Sequence, residues 1–139
     1  MRNTDYKQIE ELFIHYLEGE AVKINARFDY VTCRAYAKAS SRGPGEGMHY
    51  LGMYMDCLLT DAAAKKADNV ALVIQISDLD GKWNINADIC WGHPSGKIDA
   101  ELFAEPVEVT DESLSIVKEK LPELVSKLHE LIRDNPKGI

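Results

Sequence analysis

The chain has few of the residues that mark specialised classes of protein. Its 139 residues include only three cysteines, Cys33, Cys57 and Cys90, an odd number at wide spacing. Such cysteines fit a reducing compartment, where each is most simply a small buried hydrophobic side chain. No apolar run approaches the roughly 18 residues of a membrane-spanning helix. The charged N-terminus also lacks the apolar centre of a signal peptide. These absences predict a cytoplasmic protein without a membrane partner.

Positive charge is also scarce. The chain has 16 lysines and arginines against 23 aspartates and glutamates, which gives a formal net charge of -7. Because the basic residues do not cluster, phosphate backbones and anionic lipids would repel the chain. With 45% hydrophobic and 28% charged residues, the composition is typical of one globular domain spanning residues 1–139. We therefore expect no nucleic-acid partner, and the negative net charge favours a basic protein as the partner.

Residues that would support metal binding or catalysis do not group along the chain. The four histidines stand far apart, no cysteine or histidine pair has metal-ligand spacing, and no nucleophile motif is present. Alternation turns Cys90 outward near a carboxylate, which would raise its pKa and make it a poor nucleophile. The leading interpretation therefore has no metal, no cofactor and no catalytic residue.

Two stretches have the three- and four-residue spacing of an amphipathic helix. The first carries the apolar stripe Ile9, Leu12, Phe13, Tyr16 and Leu17; it can begin at Thr4 or Asp5 and is predicted to end at Gly19. The second follows Thr110 or Asp111 and carries Leu114, Val117, Leu121, Leu124, Leu128 and Leu131, continuing through Pro122. We expect a single kinked helix that packs on a sheet. Two abutting helices, or a homo-oligomer formed through this stripe, are the alternatives.

Strands are indicated where apolar and polar residues alternate. From about residue 24 to residue 39, small apolar residues alternate with an aromatic and basic stripe of Tyr30, Arg34, Tyr36 and Lys38. Residues 69–77 form a nearly continuous apolar run typical of a central strand, and residues 83–91 and 98–104 alternate again. Turn residues at 78–82 and 92–97 join these last three strands into an antiparallel meander.

Residues 48–66 fit two alternatives. As a helix they place Met48, Leu51, Met55, Leu58 and Leu59 on one broad face, and as a strand they align Leu51, Met53, Met55, Cys57 and Leu59. The Ala-Ala-Ala-Lys-Lys-Ala continuation favours the helix by propensity. The predicted fold is α+β: an antiparallel sheet of four or five strands, with the N- and C-terminal helices packed on one face and an additional middle helix. If residues 48–59 are a strand, the order becomes one helix, five strands in a meander, and a second helix.

The chain has one glycine-rich loop, Arg42-Gly43-Pro44-Gly45-Glu46-Gly47, which in the helical alternative lies between a strand and a helix. Its pattern R-x-x-G-x-G resembles the pyrophosphate-binding loop of the acetyl-CoA-dependent N-acetyltransferases. The resemblance implies an acyl-CoA-dependent enzyme in which Arg42, Gly43, Gly45 and Gly47 bind the pyrophosphate and Tyr50 or Tyr54 acts as a general acid. Glycines let backbone amides approach an anion, and a following helix N-terminus favours negative charge. A plain surface connection is the alternative.

The strands at residues 83–91 and 98–104 carry the principal candidate site. Registering one strand against the other places Asp88 opposite Glu101, an unfavourable pairing of like charges that a cationic partner would relieve. The predicted partner-binding residues are Asn84, Asn86, Asp88, Asp99, Glu101 and Phe103 on the outward face, together with His93 in the adjoining turn. A solvated acidic surface without a partner is the alternative.

The leading functional prediction is a small, acidic, non-enzymatic cytosolic protein that presents this face to a basic protein partner. In size and charge the chain is similar to small cytosolic inhibitors such as bacterial toxin-immunity proteins, an analogy that rests on composition. The stripe of Tyr30, Arg34, Tyr36 and Lys38 suits a second interface, because tyrosine and arginine are favoured interface residues. Alternatively, a helix covers that stripe, with tyrosine hydroxyls reaching its edge.

Overall fold

The protein is described by a computed structural model over residues 3–41, 43–45, 47–61, 66–79, 81–92 and 96–138. Over these residues it has an α+β fold. The strands of an antiparallel sheet follow the first helix along the chain and precede the second helix. The elements are α1 (Asn3–Arg27), β1 (Val31–Ser41), β2 (Met48–Asp61), β3 (Lys66–Leu79), β4 (Lys82–Trp91), β5 (Lys97–Glu101), β6 (Val107–Glu108) and α2 (Asp111–Asp134). The predicted fold class is therefore confirmed.

The first helix is longer than the sequence predicted. It continues through Gly19 to Arg27, and Ile24, assigned above to a strand, is a fully buried helical residue. The reason is the apolar spacing, since Phe13, Leu17, Ala21 and Ile24 follow one another at four, four and three residues and stay buried. Their burial outweighs the helix penalty of about 1 kcal/mol that glycine carries. The predicted end at Gly19 and the predicted strand start near residue 24 are both wrong.

The prediction of a middle helix is also wrong. Residues 48–61 form β2, which pairs with β1 on one side and β3 on the other. Its alternating residues Leu51, Met53, Met55, Cys57 and Leu59 are all buried. A strand with neighbours on both edges gains hydrogen bonds and burial that local helix propensity cannot match. The alanines that favoured a helix begin at residue 62, and residues 62–65 lie outside the described residues.

The strands lie in the order β1-β2-β3-β4-β5, with every neighbouring pair antiparallel. The short β6 pairs with β4 beyond the end of β5, so two segments share one edge of β4. Helix α1 packs mainly on β1 and β2, and α2 packs on β3 and β4. Both helices therefore cover the same face of the meander, as predicted.

The two helices run side by side in the same direction. Near their first turns, Gln8 and Leu114 line a common groove, and near their ends the guanidinium of Arg27 lies 2.9 Å from Nδ1 of His129. Burial and the nearby Arg27 charge lower the pKa of His129, which keeps the ring neutral and able to accept this hydrogen bond. The helix pair thus forms one continuous layer over the sheet.

The apolar stripe of α2 is used inside the chain. Val117, Leu121, Leu124 and Leu128 are buried in the main core, and the single helix continues through the exposed Pro122. Its start is fixed by a capping box in which Thr110 and Ser113 exchange backbone-to-side-chain hydrogen bonds of 3.0 and 2.8 Å. Packing on the sheet is confirmed, with Leu114 and Leu131 of the stripe half-buried; a homo-oligomer formed through this helix stays a prediction.

The outer edge of β1 receives a side chain from α1. The amide of Asn25 donates to the carbonyl of Cys33 and accepts from its backbone N–H, both at 2.7 Å. The side chain thereby satisfies one donor and one acceptor that an edge strand leaves unpaired. Asn25 joins the end of α1 to the start of the sheet.

Replacing Asn25 by alanine should lower the free energy of unfolding by about 1–2 kcal/mol, because two partly exposed hydrogen bonds are lost. Urea unfolding followed by circular dichroism measures the change. Lys23→Ala is the matched control on the same helix: its salt bridge with Glu20 is exposed on the lysine side and should contribute less than about 1 kcal/mol. Equal losses in the two variants would contradict the structural role of Asn25.

Candidate functional site

The sheet face opposite the helices is the candidate site. Over the described residues, neither helix packs on this face, which we call the open face. Alternation and register place on it Thr32, Arg34, Tyr36 and Lys38 of β1; Tyr50, Gly52, Tyr54, Asp56 and Leu58 of β2; Asn69, Ala71, Val73, Gln75 and Ser77 of β3; Asn84, Asn86, Asp88 and Cys90 of β4; and Ile98 and Glu101 of β5. The acidic and the aromatic–basic surfaces recognised separately in the sequence are thus parts of one face.

Tyrosines form the centre of the open face. Tyr36 and Tyr54 are directly paired across β1 and β2, and their rings stack at 5.0 Å with an interplanar angle of 22°. The hydroxyl of Tyr54 lies 2.5 Å from that of Tyr50 on the same strand. Beneath the rings, Val73 and Ala71 are buried although no helix covers them. The tyrosines therefore serve as the cover of this side of the sheet.

Gly52 makes the tyrosine arrangement sterically feasible. It lies between Tyr50 and Tyr54 on the same side of β2, and both rings fold over its backbone. A Cβ placed on Gly52 would lie 2.6 Å from the hydroxyl of Tyr50 and 2.5 Å from Cζ of Tyr54, both too close for non-bonded atoms. The pattern Tyr-x-Gly-x-Tyr on a strand is thus a local signal for two aromatic side chains that meet above a glycine.

The hydroxyls of Tyr50 and Tyr36 stay protonated at neutral pH. Burial raises the pKa of Tyr50, and its hydrogen bond to Tyr54 and the charge of Asp88 raise it further. Burial and the charge of Asp56 likewise raise the pKa of Tyr36. The cluster consequently offers neutral hydrogen-bond donors and ring faces in a negatively charged setting.

A guanidinium already lies against this cluster. Arg34 is paired with Asp56 across the strands, and its guanidinium carbon lies 5.1 Å from the centroid of the Tyr36 ring. Beside it is a shallow depression of about 400 Å³, lined by Thr32, Arg34, Asp56, Leu58 and Asn69. Leu58 is 45% exposed there, a large apolar side chain open to solvent. The depression offers charged, polar and apolar contacts together.

The juxtaposition of Asp88 and Glu101 is present in the structure. The two residues are direct partners in the register of β4 and β5, Asp88 half-buried and Glu101 exposed. Asp88 also lies beside Tyr54 across the sheet, through Val73 of β3. The carboxylates are therefore continuous with the tyrosine cluster.

Asp99 does not join the carboxylate pair. The register changes between Ile89 and Cys90, so that Ile89 pairs with Ala100 and Cys90 with Ile98, leaving Asp99 as an extra residue. The bulge gives Asp99 a different contact, and it accepts a 3.0 Å hydrogen bond from the indole N–H of the buried Trp91. The expectation that Asp99 lies with Asp88 and Glu101 is wrong because a single bulged residue reverses the alternation.

Asn86 and Phe103 hydrogen-bond to each other, so both have a structural role in the sheet. The amide of Asn86 donates to the carbonyl of Phe103 and accepts from its backbone N–H, both at 3.1 Å. Phe103 packs against the main core, so its predicted outward position is wrong. Strand β5 ends at Glu101, before the predicted end at residue 104. Beyond Glu101, hydrogen bonds from the Asn86 side chain replace the backbone pairing between strands. Asn84 donates to the carbonyl of Lys82, and His93 lies outside the described residues.

The structural premise of the acyl-CoA hypothesis is absent. Strand β2, not a helix, follows the glycine-rich loop, so the chain does not supply the helix N-terminus that the hypothesis places directly after the loop. Arg42 and Glu46 lie outside the described residues. Gly43 and Gly47 have open space around them, and Gly45 has φ 79°. These features are typical of a hairpin connection.

Cys90 is buried at 5% exposure on the open face, and burial together with Asp88 raises its pKa. The thiol is therefore a poor nucleophile, as the sequence indicated. Among the described residues, no three histidine, cysteine or acidic side chains form a group suited to a metal ion. Neither helix has a stretch long and apolar enough to cross a bilayer.

The predicted partner-binding set lacks Tyr50 and Tyr54, because the helix favoured for residues 48–66 takes them out of the sheet; they were named only as candidate general acids of the acyl-CoA alternative. It also grouped Tyr30 with the aromatic–basic stripe. Tyr30 instead donates from its hydroxyl to the carbonyl of Ile132 at 3.0 Å, so a helix covers this one tyrosine. Arg34, Tyr36 and Lys38 remain on the open face.

No protein-family model, no curated protein and no solved structure matches the chain.

Two glycine-to-alanine substitutions should have opposite effects. Gly52→Ala should lower the free energy of unfolding by about 1–3 kcal/mol, because the new methyl group displaces the tyrosine rings. Gly19→Ala should raise it by about 1 kcal/mol, since Gly19 is an exposed helical residue with open space around its Cα. Chemical denaturation of the two variants under identical conditions measures both changes. Stabilisation by Gly52→Ala would contradict the packing described here.

Proposed function

We propose that this chain is a small, acidic, non-enzymatic cytosolic binding protein that docks a basic segment of a protein partner on the open face. The observation that carries the proposal is the presence of two half-buried tyrosines, Tyr36 and Tyr50, together with carboxylates on a sheet face that the two helices leave uncovered. A surface of this composition fits a cationic ligand better than an anionic or purely apolar one.

Arginine is the side chain that the open face suits best. The contact of Arg34 with Tyr36 supports this, because it places a guanidinium against the same ring cluster that a partner would meet. An incoming guanidinium can stack on the half-buried Tyr36 ring and form a bidentate pair with a carboxylate of the same face. Tyrosine side chains also lose little conformational entropy on binding, which makes them effective anchors.

The electrostatics of the open face favour the same partner. Its carboxylates are Asp56, Asp88 and Glu101, against the cations Arg34 and Lys38. A cation between Asp88 and Glu101 would replace their mutual repulsion with two attractions. The net charge of -7 adds long-range attraction, which acts on the association rate and weakens as salt increases.

The particular form of binding that we favour is inhibition of a basic protein, in the manner of toxin-immunity proteins. The small size, the acidity and the rigid sheet support this form, since a pre-organised surface binds with little loss of entropy. Of the sequence-predicted residues, Asp88 and Glu101 are proposed as the charged contacts, with the tyrosine cluster as the anchor. Asn84 remains a peripheral contact in this proposal.

Charge reversal tests the proposal with a synthetic arginine-rich peptide as the probe. The double variant Asp88→Lys with Glu101→Lys should weaken peptide binding by about tenfold or more, because the cation loses both carboxylates and meets two ammonium groups. Fluorescence anisotropy of the labelled peptide at two salt concentrations measures the affinity. The effect should shrink at the higher salt concentration.

The matched control is Glu11→Lys with Glu18→Lys, two exposed residues on α1. Each double variant removes two negative charges and adds two positive ones, which raises the net charge by four units, from -7 to -3. The control should retain affinity within about twofold if the open face is the site. An equal loss of peptide affinity in the two variants would contradict the proposal, because binding would then depend only on net charge.

A further inference from the structure

Two of the three cysteines face one another inside the core. Cys33 of β1 and Cys57 of β2 are direct partners in the strand register, and both lie on the helix side of the sheet. Their sulfur atoms are 3.0 Å apart, and their exposures are 4% and 0%. The third cysteine, Cys90, lies on the open face of β4, away from both.

The hydrogen-bond pattern shows which kind of cross-strand pair these cysteines form. The backbone N–H of Thr60 donates to the carbonyl of Tyr30, which makes these two residues a hydrogen-bonded pair. Because such pairs alternate along an antiparallel ladder, Cys33 and Cys57, three register positions further on, form a non-hydrogen-bonded pair. The backbone bonds of Cys33 to Asn25, on the outer side of β1, require the same assignment.

Non-hydrogen-bonded pairs bring the two backbones closest. Their Cα atoms are about 4.5 Å apart, inside the range of roughly 4.4–6.8 Å that disulfides require. The two thiols therefore start from a backbone geometry that a disulfide can adopt, with the sulfur atoms already in contact.

We propose that Cys33 and Cys57 are an oxidisable dithiol that forms a disulfide between β1 and β2 when the chain meets a small disulfide oxidant such as oxidised glutathione. This inference is independent of the proposed function.

The reaction occurs in two thiol–disulfide exchanges. The thiolate of one cysteine attacks a sulfur of oxidised glutathione, one glutathione leaves as a thiolate, and a mixed disulfide remains. The second cysteine, as its thiolate, attacks the protein sulfur of that mixed disulfide and releases the other glutathione. The protein loses two electrons and two protons, and one oxidised glutathione becomes two reduced molecules.

The core environment makes this dithiol slow to react in the folded protein. Burial and the hydrogen bond to Cys33 raise the pKa of Cys57, so the reactive thiolate is scarce. An oxidant the size of glutathione reaches the sulfurs only when β1 separates locally from the helix layer. Oxidation should therefore be much faster during refolding than in the folded protein.

The disulfide would also stabilise the candidate site from the helix side of the sheet. Cys33 and Cys57 are the sequence neighbours of Arg34 and Asp56, which lie on the opposite side of the same two strands. Joining the cysteines fixes the separation of β1 and β2 directly below the depression beside Tyr36. Oxidation would thus restrict the motion of the pair of strands that carries the guanidinium and its carboxylate.

The test is to refold the full chain from urea in glutathione buffers of graded oxidation state. After acid quenching, remaining thiols are alkylated under denaturing conditions and counted by intact mass. Reduced protein should carry three alkyl groups, and oxidised protein one, with peptide mapping that joins Cys33 to Cys57. The disulfide should raise the melting temperature by about 10 °C, because it closes a loop in the unfolded chain.

Two variants serve as controls. Cys90→Ala should form the same disulfide and leave no thiol to alkylate, whereas Cys33→Ala should form no disulfide within the chain in any buffer and can accumulate only a mixed disulfide with glutathione. Because the wild-type peptide map alone identifies the bond, failure of a variant to fold does not affect the test. Three free thiols in the most oxidising buffer, a persistent mixed disulfide with glutathione, or a bond to Cys90 would each overturn the proposal.

Discussion

The fold depends on how β3 is covered, because this strand is apolar on both sides. Residues from Val70 to Ile76 alternate between the two faces, and nearly all of them are buried. The two helices shield one side only, since α1 and α2 lie next to each other on the same face. On the other side, Ala71 and Val73 are covered by tyrosines instead of a helix. This arrangement explains why the tyrosines of the open face lie on β1 and β2, next to β3.

This requirement connects the core to the surface we propose for binding. Of the rings that cover Val73, Tyr54 is buried and Tyr36 is half-buried, and the charged residues Arg34, Asp56 and Asp88 lie on the same face. Stability and the recognition we propose would thus depend on neighbouring side chains of one surface. A partner would complete the cover that a helix provides on the opposite face, which is a reason for a sheet of this kind to keep one side open.

Much of this arrangement follows from local sequence patterns. The alternation in β1, β3 and β4 and the stripe of α2 are set by burial, so period alone predicts them. The pairing of Asp88 with Glu101 was also predictable, because the connection between β4 and β5 allows few registers. The position of Asp99 was not predicted, because one bulged residue changes the side of the strand on which a side chain lies. No neighbouring residue in the sequence indicates the bulge.

Other features depended on tertiary contacts. The helical propensity after Leu59 was overridden in β2 by pairing on both edges, and the glycine at position 19 was overridden by the burial of Ile24. The tyrosine cluster needed the register of β1 with β2, which brings Tyr36 to Tyr54. The Tyr-x-Gly-x-Tyr pattern is a local signal of the cluster, but it has this meaning only when residues 48–61 form a strand.

The central claim is that the open face, and not the helix layer, receives a basic partner. The most direct measurement is NMR titration of the isotopically labelled protein with an arginine-rich peptide, following backbone amides and tyrosine ring signals. We predict that the largest shifts occur at Tyr36, Tyr54 and Asp88. Shifts confined to α1 and α2, or spread evenly over all acidic residues, would contradict the account.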